Sequence, residues 1–256
     1  MTQSVLDFYD DLAEHYHLIF DDWDKSMERQ QRVLSSLLSS HLVPPQAHLL
    51  DCACGIGTQA IGFARAGYHV VASDISGAAV ARAKLEAAKR NLDIQFHVSD
   101  MTSLAGIQKD DFDVVAAMDN ALPHLTEEQV GKAVRAIQSK LKPNGIFIAG
   151  IRDYDRIVVE KPRVDGLAFF GDEGARRIVH QIWEWIGQDR CRIHLYITVQ
   201  AGDSWRSHHF VTEYRCLLRS ELTAALEGAG FEKVHWLMPH ESGSYLPIVL
   251  AHRGQS

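Results

Sequence analysis

The sequence predicts an α/β fold in which seven strands form a mostly parallel sheet with a reversed last strand. Between residues 46 and 150, five apolar strand patterns alternate with helical patterns. Strands joined through helices lie parallel, and the helices then cover both faces of the sheet. Two further strand patterns, at 231–238 and 245–251, are separated by a short loop. Such a loop joins antiparallel strands, so the last strand should run against the others.

The elements follow one another in an order that we interpret as one domain over residues 1–256. Helical periodicity up to Pro44 and Pro45 predicts an N-terminal helical cap at 1–45. Residues 46–150 form the ligand-binding core, and 220–256 add the last helix and a terminal β-hairpin. Strands are predicted at 47–51, 69–73, 94–98, 113–118 and 145–150, and helices at 58–66, 77–90, 126–141 and 220–229.

Residues 151–219 interrupt the alternation of strands and helices. Period-two patterns at 178–185, 191–199 and 208–218 predict three antiparallel strands, and 160–177 predict an irregular surface loop. We interpret this segment as an antiparallel β insertion that forms a lid or wall over the pocket at the edge of the main sheet.

Composition narrows the class of protein. The chain has 256 residues, 46% of them apolar and 23% charged, as is ordinary for a globular α/β domain. A net charge of −7 argues against a sequence-independent grip on nucleic acid, which needs clustered Lys and Arg. No apolar run approaches the roughly 20 residues that span a membrane, and the N-terminus lacks a secretory pattern. We therefore expect a cytoplasmic protein without nucleic-acid or membrane partners.

The turn between the first strand and the first core helix is the most informative segment. Gly55 and Gly57 allow the backbone to approach a ligand closely and to bend into the helix. Asp74, about 20 residues further on, ends the second strand, where a carboxylate can hold the hydroxyls of an adenosine ribose. The turn also fits the loose NAD pattern G-x-G-x-x-[GA], but Asp51 would repel a pyrophosphate and suits a cationic amine.

These residues, with Ser99-Asp100-Met101 and the terminal hairpin, give residues 5–252 a resemblance to class I S-adenosylmethionine (SAM)-dependent methyltransferases. Within that class the chain most resembles the glycine/sarcosine N-methyltransferase group, through three segments: Phe8 to His17, Asp119 to Leu125 and Arg152 to Asp155. The resemblance implies a Rossmann-like fold that binds SAM in residues 46–150 and releases S-adenosylhomocysteine. Ala53 stands at the first glycine position of the usual loop, a departure that should change the loop geometry only modestly.

A cofactor site follows from the ends of the strands and from the resemblance. Asp51 would orient the methionyl amine, Asp74 the ribose, and Ile75 would flank the adenine. Asp100 and the Met101 N–H would contact the adenine edge, and Met118 and Asp119 would border the methionyl part. The resemblance adds Tyr16, which would pack on the cofactor, and Arg29, which would pair with its carboxylate. The expected cofactor residues are Tyr16, Arg29, Asp51, Ala53, Gly55, Gly57, Asp74, Ile75, Asp100, Met101 and Met118.

The acceptor site also follows from the resemblance. Asn120, His124 and Arg152 match the Asn-x-x-x-His and Arg-x-Tyr-Asp patterns of the group, and Tyr154 belongs to the second pattern. Arg152 would grip an acceptor carboxylate with its guanidinium fork, and His124 would help to position the acceptor. The alternative for Arg152 is an ion pair with its neighbours at 153 or 155. His124 could instead make hydrogen bonds within the fold.

The remaining aromatic and sulfur-bearing residues allow structural interpretations. Aromatic residues of the insertion and hairpin either line the acceptor pocket or pack in the core; they are Trp183, Trp185, Tyr196, Trp205 and Tyr245. Trp183 and Trp185 share one face of their strand and should share one environment. The cysteines, Cys52, Cys54, Cys191 and Cys216, have no C-x-x-C spacing, so we expect buried thiols and no metal site.

The sequence thus predicts an enzyme that transfers a methyl group from SAM to a small-molecule acceptor, most readily a glycine- or sarcosine-like amine. An N- or O-methyltransferase of heteroaromatic natural products and a non-catalytic SAM-binding regulatory module remain alternatives. A homo-oligomer is possible. In each of the methyltransferase hypotheses the acceptor itself is the nucleophile, so the protein has to align the reactants and exclude water.

Overall fold

The computed structural model describes residues 3–255, so residues 1, 2 and 256 of the predicted cap and C-terminal segment lie outside it. The main sheet contains β1 (His48–Asp51), β2 (His69–Asp74), β3 (Gln95–Val98), β4 (Phe112–Ala117), β5 (Leu141–Gly150), β10 (Phe231–Leu237) and β11 (Ile248–Arg253). Its order is β10-β11-β5-β4-β1-β2-β3. Strand β11 is antiparallel to both β5 and β10, and the pairs from β5 to β3 are parallel. The predicted seven-stranded sheet with a reversed last strand is confirmed.

Helices cover both faces of this sheet. They are α1 (Gln3–Leu12), α2 (Trp23–Ser40), α3 (Thr58–Arg65), α4 (Gly77–Lys89), α5 (Glu127–Lys140), α6 (Tyr154–Glu160), α7 (Arg219–Gly228) and α8 (Pro239–Ser242), with 3₁₀ turns at Tyr16–Ile19 and Leu122–His124. The four helices predicted in the core and after the insertion are present, with ends that differ by one residue at most. Helix α5 begins with a capping box in which Thr126 and Gln129 bond each other's backbone N–H. Among residues 3–255, no helix is long and apolar enough to cross a membrane.

A second sheet follows the fifth strand and is antiparallel throughout. It contains β6 (Val164–Phe170), β7 (Arg177–Trp185), β8 (Arg190–Ala201) and β9 (Ser204–Arg215), in that order. The prediction of an irregular loop at 160–177 is wrong, because β6 pairs with β7 there. A register shift between Asp165 and Ala168, where Gly166 has a φ of +62°, breaks the alternation that would have revealed the strand. Strand β9 also begins four residues earlier than the predicted 208.

The N-terminal cap joins the two sheets. Phe8 and Leu12 of α1 pack against apolar residues of the second sheet, among them Leu195 and Phe210. On the other side, Asp10 of α1 accepts a hydrogen bond of 2.5 Å from the Ser76 hydroxyl, at the start of α4. The cap therefore lies over the carboxyl ends of β1 and β2, the edge of an open α/β sheet where ligands bind.

Candidate active site

The turn after β1 has the geometry that its glycines predict. Gly55 and Gly57 have φ values of +50° and +96°, which side chains rarely tolerate. A Cβ atom on Gly57 would lie 3.2 Å from Ile61 Cδ1 and 3.3 Å from Ala83 Cβ, so helix α3 can begin here only with glycine. The backbone N–H of Gly55 donates to Asp74 Oδ2 at 2.8 Å, and this bond fixes the turn against β2.

Three carboxylates converge beneath this turn. Asp51 is fully buried, and its Oδ2 is without a hydrogen-bond partner among the described residues. Burial, together with the nearby charges of Asp74 and Asp119, raises its pKa to about 7. Burial likewise raises the pKa of Asp119 to about 6 and raises that of Asp74. No cation of the described residues pairs with any of the three at salt-bridge distance, so the site is complementary to a cationic ligand.

Two cap tyrosines close the cavity over the glycine turn. Tyr9 and Tyr16 line it together with Ala53, Gly55, Asp74, Ile75, Met101, Met118 and His124. The cavity volume is about 40 Å³, room for roughly three water molecules. A larger ligand can enter only if the cap side chains move.

His124 stands at the inner wall of the same cavity. Its Nε2 lies 2.8 Å from the Tyr9 hydroxyl, its Nδ1 lies 3.5 Å from Thr212 Oγ1, and its ring centroid lies 4.3 Å from that of Tyr214, with the two rings tilted by 38°. Burial, together with the Arg152 charge, lowers the pKa of His124 to about 3. The imidazole is therefore neutral at physiological pH, and its Nε2 can accept a hydrogen bond from the Tyr9 hydroxyl.

A strained turn after β4 carries the next two polar residues. Asp119 and Asn120 have φ values of +54° and +66°, a conformation that Asp and Asn tolerate better than most residues. Asp119 Oδ2 accepts a bond of 2.9 Å from Gln59 Nε2. Asn120 accepts from the Arg152 backbone N–H at 3.0 Å and donates to the Tyr154 hydroxyl at 2.9 Å. The strain thus directs one side chain to the cofactor side and the other to the acceptor side.

A large cleft of about 830 Å³ lies next to the cofactor cavity. Tyr9, Tyr16 and Asp119 line both spaces. The cleft is bounded by the cap, the second sheet and the segment before β11, and its apolar wall includes Phe8, Leu12, Val179, Ile193 and Leu195. Pockets of roughly 300–1,000 Å³ are typical of sites for ligands much larger than an amino acid such as glycine.

Arg152 projects into this cleft with its guanidinium already engaged. Nη1 lies 3.2 Å from Asp165 Oδ2, Nη2 donates to Gln181 Oε1 at 3.0 Å, and the group lies over the Trp183 ring at 5.0 Å. The expected alternative, an ion pair with residue 153 or 155, does not occur, because Arg219 pairs with both of those aspartates.

The structure places four of the expected cofactor residues away from the surface of the small cavity. Asp51 lies beneath the turn, Gly57 ends the turn at the start of α3, and Asp100 accepts from the backbone N–H of Thr102 at 2.8 Å. Arg29 is exposed and lines the large cleft. Tyr154 is fully buried and reaches the acceptor side through Asn120. Sequence reasoning missed the site positions of Tyr9, Cys52, Cys54, Thr58, Gln59 and Tyr214, although Tyr9 belongs to a segment that carries the resemblance.

The aromatic residues divide between core and surface. Trp183 is buried and packs with Cys191, and Trp185 packs beside it with ring centroids 6.3 Å apart. Trp205 and Tyr245 are exposed, and Tyr245 lines the large cleft. All four cysteines are buried free thiols.

Comparison with known proteins gives this site its class. Residues 49–145 match the family model for a methyltransferase domain. The chain is 28% identical over 183 residues to a ubiquinone biosynthesis O-methyltransferase of Xanthomonas axonopodis pv. citri (strain 306). The aligned region covers 69% of this chain and 70% of that protein. It is 29% identical over 153 residues to a glycine/sarcosine N-methyltransferase of Parasynechococcus marenigrum (strain WH8102), covering 59% of this chain and 53% of that protein.

Among solved structures, a SAM-bound aminopentose methyltransferase from Micromonospora echinaspora superposes with a TM-score of 0.72 at 22% identity, covering 89% of this chain and 92% of that one. At this identity the likeness concerns the fold. The methyltransferase-domain match over residues 49–145, the relatives and the fold together support a class I SAM-dependent methyltransferase with SAM as its cofactor.

The residues that line the small cavity, and Asp51 buried beneath it, fit this cofactor. An unpaired buried carboxylate oxygen on Asp51 suits the methionyl ammonium group, and the glycine turn leaves the backbone open to close approach. Asp74 stands at the end of β2, where a ribose is held in nucleotide-binding α/β folds.

Proposed function

We propose that this enzyme methylates the nitrogen of a small-molecule acceptor that is larger than glycine. The observation that carries the proposal is that Tyr9, Tyr16 and Asp119 line both the cofactor cavity and the cleft of about 830 Å³. The two spaces therefore meet at these side chains, where an acceptor and a methyl group can approach each other.

When bound, SAM supplies an electrophilic methyl group on a sulfonium. Asp51, Gly55, Gly57 and Asp74 would hold it through its amine, backbone contacts and ribose. Ala53, Ile75 and Met101 would enclose the adenosine, with Asp100 at its edge, and Met118 would border the methionyl part. Alignment and exclusion of water can contribute about 7–11 kcal/mol to such a displacement.

The acceptor side is proposed to work through hydrogen bonds and alignment. In the tautomer with a free Nε2 lone pair, neutral His124 would accept a hydrogen bond from the Tyr9 hydroxyl, which would leave the Tyr9 oxygen able to accept from an acceptor N–H. Asp119, at the same junction, can hold an ammonium group and take up its proton before transfer. Arg152, with Asn120 and Tyr154 behind it, would position the acceptor from the wall formed by Asp165 and Gln181.

Nitrogen is favoured over oxygen because a carboxylate at the junction complements an amine and repels a phenolate. A glycine/sarcosine N-methyltransferase and an aminopentose methyltransferase among the similar proteins support the same choice. Transfer to oxygen is the second candidate, since ubiquinone biosynthesis O-methyltransferases are among the relatives. A regulatory module without turnover would have no use for a cleft of this size beside the cofactor.

Release of S-adenosylhomocysteine with paired amine and hydroxyl acceptors tests the proposal. Each pair should share a skeleton, for example an aminosugar and its parent sugar, or an aniline and a phenol. We expect turnover with the amines. Turnover of the hydroxyl partners alone would move the function to O-methylation, and SAM binding without any turnover would support the regulatory alternative.

A further inference from the structure

The large cleft holds two charges without a partner of opposite sign. Six charged side chains line it: Arg29, Asp119, Arg152, Asp153, Arg156 and Asp165. Four of these six form ion pairs. Arg152 pairs with Asp165 at 3.2 Å, while Arg156 pairs with Glu160 at 3.2 Å and Asp153 with Arg219 at 2.5 Å, two partners that do not line the cleft. The remaining two are Arg29 and Asp119. Among the described residues, Arg29 has no hydrogen-bond or ion-pair partner, and Asp119 has only the amide of Gln59.

The two unpaired charges have different positions in the cleft. Asp119 lines the cofactor cavity as well, so it lies where the acceptor atom must meet the methyl group. Arg29 is absent from that cavity. It lines the cleft and a third space of about 270 Å³ between α2 and the segment 243–246. Gln30, the next residue of α2, accepts a bond from Gln59, which also binds Asp119, so the helix is anchored to the cofactor side.

These positions change what Arg29 can recognise. The resemblance implies that it pairs with the cofactor carboxylate, but Arg29 lines the large cleft and the third space, which reaches Met118, and it does not line the cofactor cavity itself. A free guanidinium fork suits a planar carboxylate or a phosphate. Arg152, the residue expected to grip such a group, has its donors directed at Asp165 and Gln181.

We propose that Arg29 is a specificity-determining residue that binds an anionic group of the acceptor, while Asp119 binds the amine at its other end. The inference rests on the proposed N-methyltransferase function and narrows it to amines that carry a carboxylate or phosphate. The opposite charges would orient such an acceptor so that its nitrogen enters the junction first. The third cavity, next to Arg29, leaves room for the part of the acceptor beyond the anionic group.

The test uses the full chain and acceptor pairs that differ only in the anionic group. Tryptophan with tryptamine and histidine with histamine probe a carboxylate, and glucosamine 6-phosphate with glucosamine probes a phosphate. The variants are Arg29→Gln and the control Arg32→Gln, which removes the same charge from an exposed position on α2 that lines none of these cavities. Acceptor kinetics and the dissociation constant of SAM are measured for each.

We expect the wild type to prefer the anionic member of at least one pair, and the pair identifies the group. Arg29→Gln should reduce that preference on the order of 10- to 100-fold, the range for a lost bond to a charged group, mainly through the acceptor KM. The SAM dissociation constant should change less than about twofold, as should every value for Arg32→Gln.

Three results would overturn the inference. Equal use of both members of every pair by the wild type would show that no anionic group is read. A weakened SAM complex in Arg29→Gln, with acceptor preference intact, would return Arg29 to the cofactor. Binding of SAM with no turnover of any amine would instead refute the proposed function, and the inference would fall with it.

Discussion

Replacing Asp51 by Asn should stabilise the ligand-free protein at neutral pH while weakening its hold on SAM. Asp51 is fully buried, one of its oxygens lacks a hydrogen-bond partner among the described residues, and burial raises its pKa to about 7. In an unfolded chain the same group titrates near pH 3.9. Asn has nearly the same shape and cannot ionise, so the variant isolates the charge.

The magnitude follows from linkage between protonation and folding. Because the folded pKa is raised, the folded state keeps the Asp51 proton between about pH 4 and 7, whereas the unfolded state releases it. Stability therefore falls as pH rises through this window, by about 1.4 kcal/mol for each unit. The part of this window between pH 5 and 7 spans about two pH units. The free energy of unfolding of the wild type should therefore be about 2.5–3 kcal/mol lower at pH 8 than at pH 5 because of this residue. That corresponds to a melting temperature lower by roughly 5–10 °C.

Melting curves of ligand-free wild type, Asp51→Asn and the exposed control Asp93→Asn at pH 5 and 8 measure this difference. Asp74 and Asp119 lower the melting temperature of all three proteins as the pH rises, so the relevant quantity is the difference in melting temperature between variant and wild type. We expect this difference to be larger at pH 8 than at pH 5 for Asp51→Asn but not for Asp93→Asn. A difference of equal size at both pH values would refute the argument that a buried, unpaired carboxylate is kept here for a cationic ligand.

Three further predictions concern the site. Asp74→Ala should weaken SAM binding by about 1.5–3 kcal/mol in calorimetry while the protein stays folded, and an unchanged dissociation constant would remove Asp74 from the site. Arg152→Lys keeps the charge but cannot reach both Asp165 and Gln181, so the acceptor kcat/KM should fall on the order of tenfold with SAM affinity nearly constant; wild-type acceptor kinetics would contradict this. SAM affinity should rise between pH 5.5 and 7.5, because a cationic ligand favours the ionised forms of Asp51 and Asp119, and titration in two buffers should detect the released protons.

The sequence predicted well those features that depend on neighbouring residues. The glycines at 55 and 57, the apolar strand runs and the Thr126–Gln129 cap are local signals, and the helices and the first four strands of the core occur within one residue of their predicted bounds. The bounds of β5, β8, β9 and β11 differ from the predicted ones by two to four residues. Strand β6 was missed because its bulge near Gly166 interrupts the period of two. Helix α6 is only seven residues long, too short for a clear helical period.

The site was harder to predict because its contacts join distant parts of the chain. Tyr9 meets His124 across 115 positions, and Gln59 meets Asp119 across 60. The partner of Arg152 is Asp165 rather than an adjacent aspartate, since β6 brings that residue back over the fifth strand's end. No local pattern encodes such pairings, and whether Arg29 faces the cofactor or the acceptor depends on how α2 lies against α3.

Transfer of a labelled methyl group tests the central claim most directly. The enzyme would be incubated with SAM carrying a ¹³C-methyl group and the panel of amine and hydroxyl acceptors, and the product methyl resonance would be assigned by NMR. The account predicts a ¹³C-methyl group bonded to nitrogen in an acceptor larger than glycine, with one S-adenosylhomocysteine released for each methyl transferred. A methyl group found only on oxygen, or bound SAM that is never consumed, would contradict it.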